Sequence, residues 1–123
     1  FSEFGGDSFR SEKWWPVKGA EDYEMHRGFV AGLWDDLAEE LSAKNENGVC
    51  LGGTVFEWSD EWWKVKEKDG GTPNVQDKGG FPTTWNQYSQ PDSFANEEYF
   101  GIVTVERKPK ALYYSLQEKF KRD

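Results

Sequence analysis

The stretch GTVFEWSDEWWK, at residues 53–64, decides how this chain is interpreted, together with FSEFG at residues 1–5. In each stretch a short apolar run breaks abruptly into carboxylate, glycine or tryptophan residues. This pattern is typical of the C-terminal end of a buried parallel strand that delivers functional side chains into a cleft. The two stretches therefore predict a carboxylate site walled by indole rings.

An amphipathic helix is predicted over residues 21–44, because apolar side chains recur there at spacings of three and four. Glu21 and Asp22 in the first turn suit the helix dipole, and residues 45–48, NENG, provide the stop. The predicted apolar face consists of Tyr23, Phe29, Val30, Leu33, Trp34, Leu37 and Leu41.

The remaining segments complete an alternation of strands, loops and helices. Residues 1–5 and 49–58 are predicted strands. Residues 6–19 and 67–95 are predicted loops, the second long enough to form a lid or rim. Residues 109–121 are predicted to form a second helix, with a proline in its first turn.

The strand at residues 49–58 presents two different faces. By the two-residue period of a strand, Trp58 lies with Phe56 on the interior side. Glu57 then points with Val55 toward the helices. As a catalytic carboxylate, Glu57 therefore ranks below Glu3.

Composition excludes several classes of partner. The formal net charge of −8 would repel nucleic acid and anionic lipid, and no apolar run is long enough to span a bilayer. With one cysteine, Cys50, and one histidine, His26, the chain holds neither an internal disulfide nor a Cys/His metal site. We therefore expect no nucleic-acid or membrane partner, no metal and no cofactor. The compartment stays undecided, with a secreted or periplasmic location slightly preferred.

Aromatic residues make up 17% of the chain and include seven tryptophans, most of them in polar or glycine-rich stretches. Indole rings offer flat apolar faces to the C–H faces of pyranose rings, while neighbouring polar groups meet the hydroxyls. Trp34, on the helical face, is predicted to be core. A ligand cleft and simple packing both stay open for Trp14, Trp15, Trp62, Trp63 and Trp85.

The order strand, loop, helix, strand, long loop, helix is what the last quarter of a (β/α)8 TIM barrel would show. The stretch FSEFG resembles the strand-seven signature of clan A glycoside hydrolases. Residues 56–64 are similar to the strand-eight end of these barrels, and residues 95–114 to their closing segment. The fold class expected is thus α/β, an incomplete barrel quarter, with residues 1–123 forming the C-terminal segment of one catalytic domain.

The resemblance implies a retaining glycosidase that acts on a β-linked glycan, with Glu3 as the nucleophile. Trp58 would be the platform for the sugar. Retaining hydrolysis needs a second carboxyl group about 5–5.5 Å from the first. In this clan the acid/base lies on strand four, so we expect it outside this chain.

The loop that follows the second strand offers further candidates for substrate binding. Asp60 and Glu61 would bind sugar hydroxyls, although such a pair more often holds its own loop, and Lys64 is a partner for either. His26 is expected to be a surface or packing residue. Substrate-binding roles are also assigned to Trp14, Trp15, Trp62 and Trp63.

Two alternatives to hydrolysis remain. The chain would be a non-catalytic carbohydrate-binding or scaffold protein that keeps the cleft, or a transglycosylase that differs only in its acceptor. The chain begins inside an expected strand, so it is interpreted as a fragment. Its partners are then expected to be a carbohydrate and either the remainder of its own barrel or a complementing chain.

Overall fold

The structure is a computed structural model that describes residues 3–13, 18–64, 76, 81–82, 91–92 and 94–121. Two α-helices and six short strands occur in these ranges, together with one turn of 3₁₀ helix at Glu97–Tyr99. In chain order they are β1 (Glu3–Phe4), β2 (Phe9–Lys13), β3 (Lys18–Glu21), α1 (Tyr23–Glu39), β4 (Thr54–Val55), β5 (Phe81–Pro82), β6 (Phe94–Ala95) and α2 (Ala111–Phe120).

Both predicted helices are confirmed, with shorter bounds. Asp22 caps α1, because its Oδ1 accepts a hydrogen bond from the Met25 N–H at 2.8 Å. Helix α1 ends at Glu39, well before the predicted residue 44. Helix α2 begins after Pro109, at Ala111, and runs to Phe120.

The core lies between the two helices and the β1–β4 strand pair. Phe4 stacks on Trp34 of α1 with ring centroids 6.1 Å apart, and Phe120 of α2 meets Trp34 edge to face at 4.9 Å. Full burial of one large apolar side chain, here Phe4, stabilises the fold by about 1.5–3 kcal/mol. The buried members of this core are Phe4, Val30, Ala31, Leu37, Leu112 and Leu116.

The strands form three separate two-stranded ladders. Strands β1 and β4 are parallel, with Glu3 opposite Thr54 and Phe4 opposite Val55. The β2–β3 and β5–β6 pairs are both antiparallel. The described part of the chain therefore contains one parallel pair, only two residues long on each side.

The prediction of a TIM-barrel quarter is wrong. Two helices and three small ladders make a mixed α/β domain, whereas a barrel quarter would place its strands in one parallel sheet. The predicted loop at residues 6–19 contains β2 and the start of β3, and the predicted strand at residues 49–58 is regular only at Thr54–Val55. Antiparallel hairpins thus occupy segments that had been interpreted as loops.

Gly5 lets β1 approach the segment after β4. A Cβ placed on Gly5 would overlap the carbonyl oxygen of Phe56. The same approach allows the Phe56 N–H to donate to the Phe4 carbonyl at 2.8 Å. The peptide bond between Phe56 and Glu57 is cis.

None of the described helices is long and apolar enough to cross a lipid bilayer.

Candidate functional site

A polar cleft with a volume of about 240 Å³ lies at the loop that follows β4. We call it the tryptophan cleft, because three indoles of residues 57–64 line it. The exposed fractions of Trp58, Trp62 and Trp63 are 59%, 39% and 52%. The other residues that line the cleft are Glu57, Ser59, Asp60, Glu61, Val105 and Arg107.

The first half of this loop is fixed by backbone hydrogen bonds to residues 100–103. The Ile102 N–H donates to the Glu57 carbonyl at 2.9 Å, and the Val103 N–H donates to the Trp58 carbonyl at 3.0 Å. The Asp60 N–H returns a bond to the Val103 carbonyl at 3.0 Å. Residues 57–60 therefore run beside residues 100–103, with one isolated parallel bridge between Ser59 and Val103.

Asp60, predicted to bind substrate, is buried in an ion pair. Its Oδ1 lies 2.6 Å from the Lys110 ammonium, and both side chains are at least 99% buried. Oδ1 also accepts from the Gly101 N–H at 2.9 Å, and Oδ2 accepts from the Gln76 amide at 3.1 Å. Asp60 therefore anchors the loop, and its carboxylate is not presented to a ligand in the cleft.

Lys110 joins three parts of the chain. Its ammonium donates to the Ser8 hydroxyl at 2.9 Å, to Asp60 and to the Tyr99 carbonyl at 3.3 Å. Burial lowers the pKa of Lys110 and raises that of Asp60, and the attraction between the two charges opposes both shifts. Sequence reasoning assigned Lys110 no role.

Glu57, Glu61 and Lys64 form a second group of charges in the cleft. Glu61 lies 3.2 Å from the Lys64 ammonium, and Glu57 and Glu61 face one another within hydrogen-bonding reach. Burial, and then the neighbouring Glu61 carboxylate, raise the pKa of Glu57 to about 8. The surroundings of Glu57 therefore favour its protonated form more than water does.

Glu3, the predicted nucleophile, is exposed at the start of β1 and lies opposite Thr54. Its neighbour Phe4 is buried against the helices. Because neighbouring residues on a strand point to opposite faces, Glu3 lies on the face away from the helices, where Thr54 is also exposed. A carboxylate in this position is accessible to solvent and to a ligand.

Trp58 does not occupy the predicted interior position. Its ring meets Tyr113 of α2 edge to face, with centroids 6.2 Å apart. Trp58 and Glu57 also line an apolar groove of about 360 Å³ between β4 and α2, with Val55 as the strand residue of its wall. The regular strand ends at Val55, so its two-residue period does not continue to Trp58.

Other predicted positions lie outside the cleft or outside the described residues. Trp14, Trp15 and Trp85 lie outside the described residues. His26 is buried on α1, and burial lowers its pKa to about 3, so it stays neutral. In the described ranges no three acidic, histidine or cysteine side chains come together as a metal site. Asp92 accepts hydrogen bonds from the Ser11 and Phe94 N–H groups at 2.6 and 3.0 Å.

Arg107 lines the cleft but had no predicted role. It has a positive φ of 65° at the turn of residues 104–107, a conformation uncommon outside glycine. Its guanidinium donates to the Ser59 hydroxyl, on the loop opposite. A cation therefore lies at the rim of the cleft, although the chain as a whole carries a net charge of −8.

No protein-family model, curated protein or solved structure matches this chain. The chemistry of the cleft and of Glu3 therefore carries the functional inference.

Proposed function

We propose that this protein binds a β-linked glycan at the tryptophan cleft. We further propose that it cleaves the glycan by retaining double displacement, with Glu3 as the nucleophile. The observation that supports glycan binding best is the set of three exposed indoles around a polar cleft. Indoles stack on pyranose C–H faces, and carboxyl, hydroxyl and guanidinium groups meet sugar hydroxyls.

The size of the cleft suggests how much of the glycan it takes. Its volume of about 240 Å³ lies below the range of about 300–1,000 Å³ typical of pockets for drug-sized ligands. We therefore expect one sugar unit in the cleft, with the rest of the glycan extending beyond it.

The catalytic part of the proposal rests on Glu3. Its exposure, and the resemblance of residues 1–5 to a glycosidase nucleophile signature, support this role. An ionised Glu3 would attack the anomeric carbon while a second carboxyl group, outside this chain, protonates the departing oxygen. Water would then hydrolyse the glycosyl-enzyme intermediate. If a sugar hydroxyl attacked the intermediate in place of water, the protein would be a transglycosylase.

Binding without cleavage is the second candidate. It is favoured by the Glu57–Glu61 pair, because these two cleft carboxyl groups lie within hydrogen-bonding reach, closer than the separation of about 5–5.5 Å that retaining hydrolysis needs. A complementing chain also stays a prediction. Val49 and Leu51, with exposed fractions of 88% and 95%, are apolar surface that such a chain would cover.

Glycan binding is tested with the full-length natural protein and a panel of β-linked oligosaccharides. We expect Trp62→Ala and Trp63→Ala each to weaken the affinity by about two- to tenfold, because stacked aromatic contacts contribute about 0.5–1.5 kcal/mol. Tyr114→Ala, which removes an exposed aromatic residue of α2 outside the cleft, is the matched control and should leave the affinity unchanged. Calorimetric titration measures the difference. Equal effects of all three substitutions, or no binding to any glycan, would overturn the proposal.

The role of Glu3 is tested by mass spectrometry after exposure to 2-deoxy-2-fluoro glycosides. We expect a covalent sugar on the peptide that contains Glu3. Glu3→Gln should lose this adduct completely, because an amide does not attack the anomeric carbon. Glu46→Gln, at an exposed glutamate beyond α1, should keep it. Glycan binding with no adduct, in a panel that labels a control enzyme, would instead establish the non-catalytic alternative.

A further inference from the structure

The two halves of the tryptophan loop, residues 57–64, are held by different forces. Residues 57–60 are bonded through their backbone to residues 100–103, and Asp60 is anchored on Lys110. Residues 61–64 have fewer backbone hydrogen bonds. Among the described residues, the Lys64 N–H donates to the Glu61 carbonyl at 3.1 Å. Within the described residues, the half that carries Trp62 and Trp63 is therefore positioned by side-chain contacts.

Among the described residues, Glu61 contacts two other side chains of the loop. One neighbour is Lys64, whose ammonium also lies 4.9 Å from the centre of the Phe56 ring. The other neighbour is Glu57, on the fixed half of the loop. Oε1 of Glu57 is buried and accepts no hydrogen bond from the described residues, whereas the buried Oε2 of Glu61 lies 3.2 Å from the Lys64 ammonium. Glu61 thus links the segment that carries Trp62 and Trp63 to the fixed half of the loop through another carboxyl group.

The surrounding charges do not permit both carboxyl groups to be ionised at low cost. Lys64 offsets one negative charge, and the charge of Asp60 is already offset by Lys110. Further out, Glu97 lies near Lys64, and Arg107 lines the cleft while bonded to Ser59. A proton shared between the two glutamates leaves one negative charge opposite one lysine. It also provides the donor that two facing carboxylates lack.

We propose that Glu57 is a positioning residue, which shares one proton with Glu61 and so holds Trp62 and Trp63 in place as a wall of the tryptophan cleft. The cleft is formed while the pair holds this proton. When both glutamates are ionised they repel each other, residues 61–64 move away from the fixed half of the loop, and the wall opens. The consequence for glycan affinity rests on the proposed function, whereas the loop movement does not.

The sign of the pH dependence follows from the raised pKa of Glu57. The ordinary value for this carboxyl group is 4.5, and in the folded protein it is about 8. The closed loop is therefore fully stabilised below about pH 4.5, loses relative stability as the pH rises, and opens as the pH passes through about 8. Burial also raises the pKa of Asp7 to about 8, so the group responsible must be identified by substitution.

The loop movement is tested by ¹⁹F NMR of the full-length protein labelled with 5-fluorotryptophan. Trp62→Phe and Trp63→Phe identify the two resonances. We expect both resonances to shift between pH 6 and pH 10 with a midpoint near 8, while the resonance of Trp34, packed in the core, stays constant. In Glu57→Gln, a neutral isostere that can still donate to Glu61, both resonances should remain at their pH 6 positions over the whole range.

Two further variants make the test decisive. Glu61→Gln should also abolish the shift, and Glu106→Gln, an exposed glutamate on the turn of residues 104–107, should leave it as in the wild type. A shift that persists in both Glu57→Gln and Glu61→Gln, or no shift in the wild type, would overturn the proposal.

Glycan affinity gives the second readout. It should fall between pH 7 and pH 9 in the wild type and stay constant in Glu57→Gln. A glycan affinity that is absent at every pH would contradict the proposed function and leave the ¹⁹F result intact. Measurable affinity with no pH dependence in the wild type would contradict the positioning role alone.

Discussion

Lys110→Met is expected to lower the free energy of unfolding by about 3–5 kcal/mol. The substitution keeps the apolar length of the side chain but removes the ammonium that lies 2.6 Å from Asp60. Asp60 would then be a buried carboxylate without a cation, and the Ser8 hydroxyl and Tyr99 carbonyl would lose a donor. Urea denaturation monitored by circular dichroism measures the change.

The matched control is Lys119→Met on the surface. Lys119 also pairs with an aspartate at 2.6 Å, but Asp35 is more than half exposed. Removing the Lys119 ammonium should lower the free energy of unfolding by less than about 1 kcal/mol, because water screens exposed ion pairs. Adding Asp60→Asn to Lys110→Met should restore part of the lost stability. Equal costs for the two lysine substitutions would contradict the anchoring role of the buried pair.

Gly5→Ala is the second substitution expected to have a large effect. The added Cβ would overlap the backbone carbonyl of Phe56, which no side-chain rotation can relieve. β1 and the segment after β4 must then separate, which strains the hydrogen bond from the Phe56 N–H to the Phe4 carbonyl. We expect a loss of about 3 kcal/mol or more in the free energy of unfolding, measured by the same denaturation experiment.

Gly28→Ala provides a control of opposite sign. A Cβ at Gly28, on the exposed side of α1, meets no atom within 4 Å. Alanine is favoured over glycine inside a helix, so this variant should be more stable than the wild type by about 0.5–1 kcal/mol. If Gly5→Ala stayed within about 1 kcal/mol of the wild type, the close approach of β1 to Phe56 would be disproved.

The helices could be predicted from sequence because their signals are local. The apolar spacing of α1 lies within residues 23–39, and its cap, Asp22, precedes it directly. Strand pairing has no such local signal. The β2 stretch FRSEK mixes polar and charged residues and was interpreted as part of a loop, yet it pairs with β3. Residue spacing alone does not show which strand pairs with which. It therefore could not predict three two-stranded ladders rather than a barrel.

The candidate site was predictable only in part. The sequence indicated the tryptophans of the loop as candidate binding residues, because indoles in a polar stretch are unusual. It did not indicate that Asp60 is buried, because its partner Lys110 is 50 residues away. It also did not indicate that Glu57 lines the cleft, since the alternation used to orient Glu57 ends with β4 at Val55.

The Lys110 ammonium also has a consequence for the order in which the protein is completed during synthesis. Ser8 and Asp60 precede Lys110 by 102 and 50 residues. On the ribosome the Asp60 carboxylate therefore emerges long before the cation that makes its burial favourable. The tryptophan loop cannot settle on its anchor until Lys110 has also left the ribosome. The cleft therefore takes shape only after both partners of its buried ion pair have emerged.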